Sequence, residues 1–252
     1  MALRTNQGEA TEYLDFVLGS TSSGCLTQYQ VFHSDTILPI PDHLSYEEAA
    51  TLPCAAVTSW NALFEKQRIT KDSTVLVLGS GGVSVAGAQL AKAAGARVIA
   101  TTSSKDKAEK YKALGVDEVI NYRENPQWSE KVKELTGGEG VERVLDVGGQ
   151  GTLIQSIKSI KREGVVHVIG FLGQGNSNET LNDLAVMLVF GQGTLSAIAV
   201  GSKEMNEKLN AFLAEYKIKP VVDRVFGWNE AIEALDYQFG GSHFGKVVIK
   251  IE

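Results

Sequence analysis

The run Gly79-Ser80-Gly81-Gly82-Val83-Ser84 has the residue types and spacing to hold a phosphate. Gly79 can end a strand in a sharp turn. Gly81 lets the backbone approach a pyrophosphate. A helix opening near Gly82 aims free N–H groups and a partial positive charge at the anion. Where G-x-G-x-x-G would place a third glycine the chain has Ser84, still small enough for helix and strand to pack closely. Glycine-rich turns are common, so context decides: this one follows an apolar run, opens a helical pattern and lies inside a strand–helix–strand unit. The segment from Thr74 to Ser104 therefore reads as a dinucleotide-binding turn.

An acid about 20 residues further on would bind the ribose 2′-hydroxyl of NAD. That position holds Thr101-Thr102-Ser103-Ser104, with Lys105 and Lys107 following. Hydroxyls and cations suit a 2′-phosphate, so Thr102, Ser103 and Lys107 point to NADP(H) as cofactor. The plainer possibility is that the two lysines are solvated residues at a helix start.

These residues need a framework to position them. Thr74–Leu78, Arg97–Thr101, Glu118–Ile120, Val141–Val147 and Val165–Ile169 read as short buried strands. Helical patterns fall between them at 83–94, 105–114, 126–135 and 152–160. Repeated βα units with short loops predict an α/β fold, a Rossmann-type doubly wound parallel sheet. A helix at 181–190, a strand at 195–200 and a helix at 203–216 continue it. The tail changes rhythm, with strands at 221–226 and 246–251 around a helix at 228–237. Cys25 to Ile40 reads as short strands. Ser45, with Glu48 three residues on, reads as a helix-opening capping box.

With 43% hydrophobic and 21% charged residues, the composition is that of a globular protein. A net charge of −6 gives no footprint for nucleic acid or an anionic membrane. No apolar run is long enough to span a bilayer, and residues 1–16 lack the apolar core of a secretory signal. A cytoplasmic protein acting on a small molecule is the expectation. Cys25 and Cys54 have no disulfide or zinc spacing.

The chain resembles the medium-chain dehydrogenase/reductase superfamily, in its zinc-type alcohol dehydrogenase-like and quinone oxidoreductase-like branch. The stretches that carry the likeness are Pro39–Ser45, Ala49–Ala55, Thr58–Leu63, the glycine turn, Gly95–Thr101, Ile120-Asn121-Tyr122 and Gly245–Ile249. The resemblance implies several roles. Lys107 would contact the 2′-phosphate, with Tyr122 packing at the same end. Thr58, Ile169-Gly170-Phe171 and Ala197-Ile198-Ala199 would lie around the nicotinamide, and Lys246 would approach the cofactor from the chain's end. Thr58, Asn61 and Tyr46 are the candidates for positioning or polarising a substrate. Cys54 falls where zinc-dependent relatives carry one ligand. Without the other ligands it reads as a small buried or pocket-lining residue, and no metal is expected.

Relatives begin with a GroES-like β domain, most of which this chain lacks. The resemblance implies that residues 1–44 plus 221–252 form a remnant of that domain around a Rossmann unit of 45–220. The chain would then be a natural short form or a piece of a longer reductase. It also implies pairing into a homodimer through the sheet edge near Leu195–Val200. Three functions stay open. One is an NADP(H)-dependent reductase of a quinone, enone or other activated carbonyl or alkene. A second is a non-redox lyase, isomerase or cyclase of a biosynthetic pathway, and a third is a cofactor-binding regulatory module.

Overall fold

A computed structural model describes residues 18, 19, 21–173 and 180–252, the side chain of Leu181 excepted. The stretch read as lacking a secretory signal lies outside the described residues.

The chain organises from residue 45 onward. Ser45 Oγ accepts the Glu48 N–H at 3.2 Å and the Ser45 N–H reaches Glu48 Oε2 at 2.8 Å, the expected capping box. The helix it opens, α1 (Tyr46–Ala49), is short. Pro53 leaves helical geometry and Cys54 turns to φ 77°, after which α2 (Val57–Trp60) resumes the direction.

Then come β1 (Thr74–Val77), α3 (Gly82–Ala93), β2 (Arg97–Thr102), α4 (Lys105–Ala113), β3 (Glu118–Asn121), α5 (Trp128–Leu135) and β4 (Val141–Asp146). They are followed by α6 (Leu153–Ser159), β5 (Ile160–Val168), α7 (Leu181–Gly191), β6 (Thr194–Ala197) and α8 (Lys203–Tyr216). The six strands form one parallel sheet in the order β3-β2-β1-β4-β5-β6, the doubly wound arrangement expected. The strands are apolar on both sides because helices cover both faces. Val75, Val77 and Leu145 pack under α2, α3 and α8, while Leu76, Ile99 and Val144 pack under α5 and α6.

The segment before residue 45 departs from expectation, whereas the tail has the strand, helix and strand expected of it. Cys25 to Ile40 forms no strand; it holds a 3₁₀ turn at Ser34–Thr36. Among the described residues extended segments there find no partner strand, and Tyr29 and Val31 are 89% and 95% exposed. The segment is instead tied to α8 and the turn after it: Asn210 Nδ2, midway along α8, donates to Pro39 O at 3.2 Å, and just beyond the segment His43 Nε2 lies 2.9 Å from Ile218 O. In the tail, β7 (Val222–Phe226), α9 (Ala231–Phe239) and β8 (Lys246–Ile249) make a separate two-stranded parallel sheet with its crossover helix. Among the described residues the two ends share no sheet, and Gln28 Nε2 donates to Glu252 O at 3.0 Å between them.

Candidate functional site: a crevice at the switch point of the sheet

In an open parallel sheet the ligand crevice lies beyond the carboxyl ends of the strands, where the strand order reverses. Here that point falls between β1 and β4. The glycine turn stands on one side of it. Gly79 has φ 76°, a region that strains any other L-residue. Its N–H donates to Thr101 Oγ1 at 3.2 Å, and its carbonyl accepts the Tyr111 hydroxyl at 2.7 Å. Burial pushes the Tyr111 phenol far above its ordinary pKa, so it stays protonated and stays a donor.

Gly81 is the N-cap of α3, and no side chain caps that helix end. A side chain at Gly79 or Gly81 would meet nothing within 4 Å, so the turn faces open space. Gly82 differs: a Cβ there would collide with the aliphatic chain of Lys246 and lie 3.1 Å from Ala55 Cβ. The last strand locks this turn from behind, since the Gly245 N–H donates to Ser80 O at 3.0 Å. Val83 O accepts Ser59 Oγ at 2.7 Å, tying the helix start to α2.

Ser84 is buried and donates to Leu78 O at 2.5 Å. Three residues later, at Gly87, α3 lies close on the sheet: a Cβ there would lie 2.6 Å from Leu145 Cδ2. Sequence reading missed Gly87. Its signal was a glycine in the middle of a helix, which costs stability unless packing demands it.

At the end of β2, Thr102 is 1% exposed and its hydroxyl has no partner. A buried hydroxyl without a partner is an unfilled hydrogen-bonding position. Ser103 is half-buried, and Ser104 caps α4 by accepting the Lys107 N–H at 3.3 Å. Lys105 is exposed, whereas Lys107 is half-buried with its ammonium donating to Gly241 O at 2.8 Å. Burial lowers the Lys107 pKa; Asp223 opposes this, and Lys110 and Arg123 add to it. His243 is likewise lowered, by burial first and then by Lys107. Lys107, Lys110 and Arg123 thus stand near one another where β2 ends, with the Asp223 carboxylate among them. Tyr122 is 39% exposed, and its N–H donates to Thr102 O at 3.0 Å.

Across the crevice, Thr58 is buried and its hydroxyl donates to Cys54 O. Asn61 Nδ2 donates to Val200 O at 2.7 Å. Ile169 and Ile198 are held by their N–H groups on Asp146 O (2.8 Å) and Val168 O (3.0 Å). Phe171 is 89% exposed and Tyr46 82% exposed. Their side chains are not packed among the others.

Sequence reading also missed Asp146. It is fully buried and accepts four donors: the Gly148 and Gly149 N–H groups at 3.0 and 2.8 Å, Thr152 Oγ1 at 2.6 Å and Ser156 Oγ at 2.6 Å. It thereby fixes the Gly148-Gly149 pair at the end of β4, opposite the glycine turn. The signal was an acid followed by two glycines and then hydroxyls one and two helical turns on.

Cys54 is exposed rather than buried, because the break at Pro53 turns it outward. Among the described residues no three His, Cys, Asp or Glu side chains group as metal ligands. A catalytic zinc needs three such donors, so the residues present do not fit one.

A parallel sheet of this order with a glycine turn at its switch point defines a dinucleotide-binding fold. Comparison with known proteins places it further. A family model described as zinc-binding dehydrogenase matches residues 82–215. A zinc-type alcohol dehydrogenase-like protein of Schizosaccharomyces pombe is 40% identical over 93% of this chain and 68% of its own length. The crystal structure of a putative alcohol dehydrogenase from Sinorhizobium meliloti 1021 superposes with a TM-score of 0.86 at 36% identity, over 93% of this chain and 67% of that one. A mycobacterial protein solved with NADPH superposes at 0.68 with 26% identity, over 83% of this chain and 67% of that one. A quinone oxidoreductase of Mus musculus and a 2-methylene-furan-3-one reductase of Solanum lycopersicum are also similar. The chain belongs to the medium-chain dehydrogenase/reductase superfamily of oxidoreductases, and spans about two thirds of the length of relatives such as the S. pombe protein.

Proposed function

We propose that the chain binds NADP(H) in this crevice and acts as a zinc-independent reductase of a quinone, an enone or a similar activated carbonyl or alkene. The observation that carries the reading is the pairing of an open glycine cradle with an orphaned Thr102 hydroxyl and the Lys107 cation, with no acid at the end of β2. The relatives named as a quinone oxidoreductase and a 2-methylene-furan-3-one reductase support the substrate class.

When bound, the nicotinamide supplies hydride chemistry. The chain's residues do the holding. The start of α3, from Gly81 to Val83, where no side chain caps the helix, takes the pyrophosphate, with Lys246 beside it. Thr102, Ser103 and Lys107 take the 2′-phosphate, and Tyr122 closes that end. Thr58 and the backbone of Ile169, Phe171 and Ile198 border the ring. Asp146 keeps the opposite wall rigid.

Titration of NADPH by its fluorescence tests the reading: saturable binding in the micromolar range, then oxidation on adding a quinone, is the expected result. Absence of binding at high micromolar NADPH would refute it. Binding without turnover across quinones and enones would favour the regulatory module instead.

The partner in this reading is a second copy of the chain. Among the described residues β6 ends the sheet with an unpaired edge, and Val189 and Phe190 of α7 beside it are 70% and 84% exposed.

A further inference from the structure

Val200 is a β-branched residue at φ 61°, in the left-handed region where such side chains are outliers. Residues held there cluster at ligand clamps and persist only when their surroundings fix them. The surroundings here are specific. The Asn61 amide donates to the Val200 carbonyl at 2.7 Å. The next residue, Gly201, is wedged so tightly that a Cβ would sit 2.7 Å from Val57 Cγ2. One end of the loop is pinned by the Ile198 N–H on Val168 O at 3.0 Å; at the other, Ser202 Oγ caps α8 by accepting the Met205 N–H at 3.2 Å.

The loop's location gives the strain a use. It leaves the carboxyl end of β6, in the half of the sheet (β4-β5-β6) that lies across the switch point from the glycine turn. In a doubly wound sheet each half holds one mononucleotide. The glycine turn belongs with β1 and β2, so the Ile198–Val200 backbone borders the other half.

We propose that Asn61 is a positioning residue: it holds Val200 in the left-handed conformation and so sets the Ile198–Val200 backbone against the nicotinamide half of the cofactor. Asn61 does not touch the reacting atoms in this assignment; it acts through Val200. One N–H of its amide goes to that carbonyl, and the role assigned here needs no contact with a substrate. The proposal rests on the NADP(H) reading above.

The test compares two ligands by calorimetry: NADP⁺, and 2′-phospho-ADP-ribose, which keeps the adenosine half and lacks the nicotinamide. Wild type should bind NADP⁺ the more tightly. Asn61→Ala should cut that preference about tenfold, while affinity for 2′-phospho-ADP-ribose stays within about twofold. Glycine adopts φ near +60° without an anchor. Adding Val200→Gly to Asn61→Ala should therefore restore most of the preference, and Val200→Gly alone should keep it. Asn61→Asp, which keeps the size and loses the donor, gives the same comparison should Asn61→Ala not fold. An unchanged preference in the Asn61 variants, a loss that Val200→Gly does not rescue, or equal affinity of wild type for both ligands overturns the positioning role. Wild type binding neither ligand overturns the NADP(H) reading along with it.

Discussion

Lys107 and His167 are two single side chains whose settings make opposite demands on charge. Lys107 keeps its ammonium half-buried on Gly241 O among other cations, an arrangement that gains most when a phosphate arrives. Lys107→Ala should weaken NADPH binding about 10- to 100-fold and leave NADH within about threefold, measured by fluorescence titration. His167 lies on β5, 3% exposed, with both ring nitrogens unpartnered. Burial, then Arg143 and Lys66, push its pKa from 6.5 down to about 4. The folded protein therefore keeps His167 neutral down to about pH 4, whereas the unfolded chain protonates it near 6.5. Between those values the unfolded state binds the extra proton, so stability is lost as pH falls from about 6.5 towards 4, by ~3 kcal/mol in full. Urea titrations across that window should show the decline, and His167→Leu should flatten it. A wild-type curve no steeper than the variant's would dismiss this account.

At the scale of elements, α3 is set against the sheet by Gly87. Gly87→Val should drive a branched side chain into Leu145, Ser59 and Val77. The expected cost is about 2 kcal/mol, a fall in melting temperature of roughly 4–8 °C by calorimetry. A melting temperature equal to wild type would show that α3 can shift outward freely. Much of this layer was legible in the sequence. The alternation of apolar runs and helical patterns from Thr74 onward gave the strands and helices of the doubly wound sheet, because its central strands β1, β2 and β4 are buried almost throughout. The glycine turn, its missing acid and the Ser45–Glu48 capping box were legible for the same reason: each is a local rule, satisfied within a few residues. Non-local facts were not. Nothing in Cys25–Ile40 distinguishes a strand from an extended tether without knowing whether a partner strand exists. The outward turn of Cys54 follows from a backbone break, and the Asn61–Val200 contact joins residues far apart in the chain. Asp146 hid because its four donors, although near in sequence, look like an ordinary loop until they converge.

For the whole molecule, exposed apolar residues mark the surfaces that a partner would cover. The proposed self-association through β6 and α7 predicts a dimer mass in sedimentation equilibrium at micromolar concentration, and Phe190→Asp together with Val189→Lys should shift it to monomer. A monomer at every concentration would remove the pairing proposal without touching the cofactor reading. Among the described residues no helix is long and apolar enough to cross a membrane.

The hydrogen bond from the Gly245 N–H to Ser80 O ties the phosphate turn to a strand made near the end of the described chain. That link spans most of the sequence, and contacts of such separation form late. During synthesis the sheet from β1 to β6 can assemble before residue 245 exists, yet the turn would still lack its rear support. Competence to take up a dinucleotide is then acquired only once residue 245 has been made, after the scaffold that displays the turn is already standing.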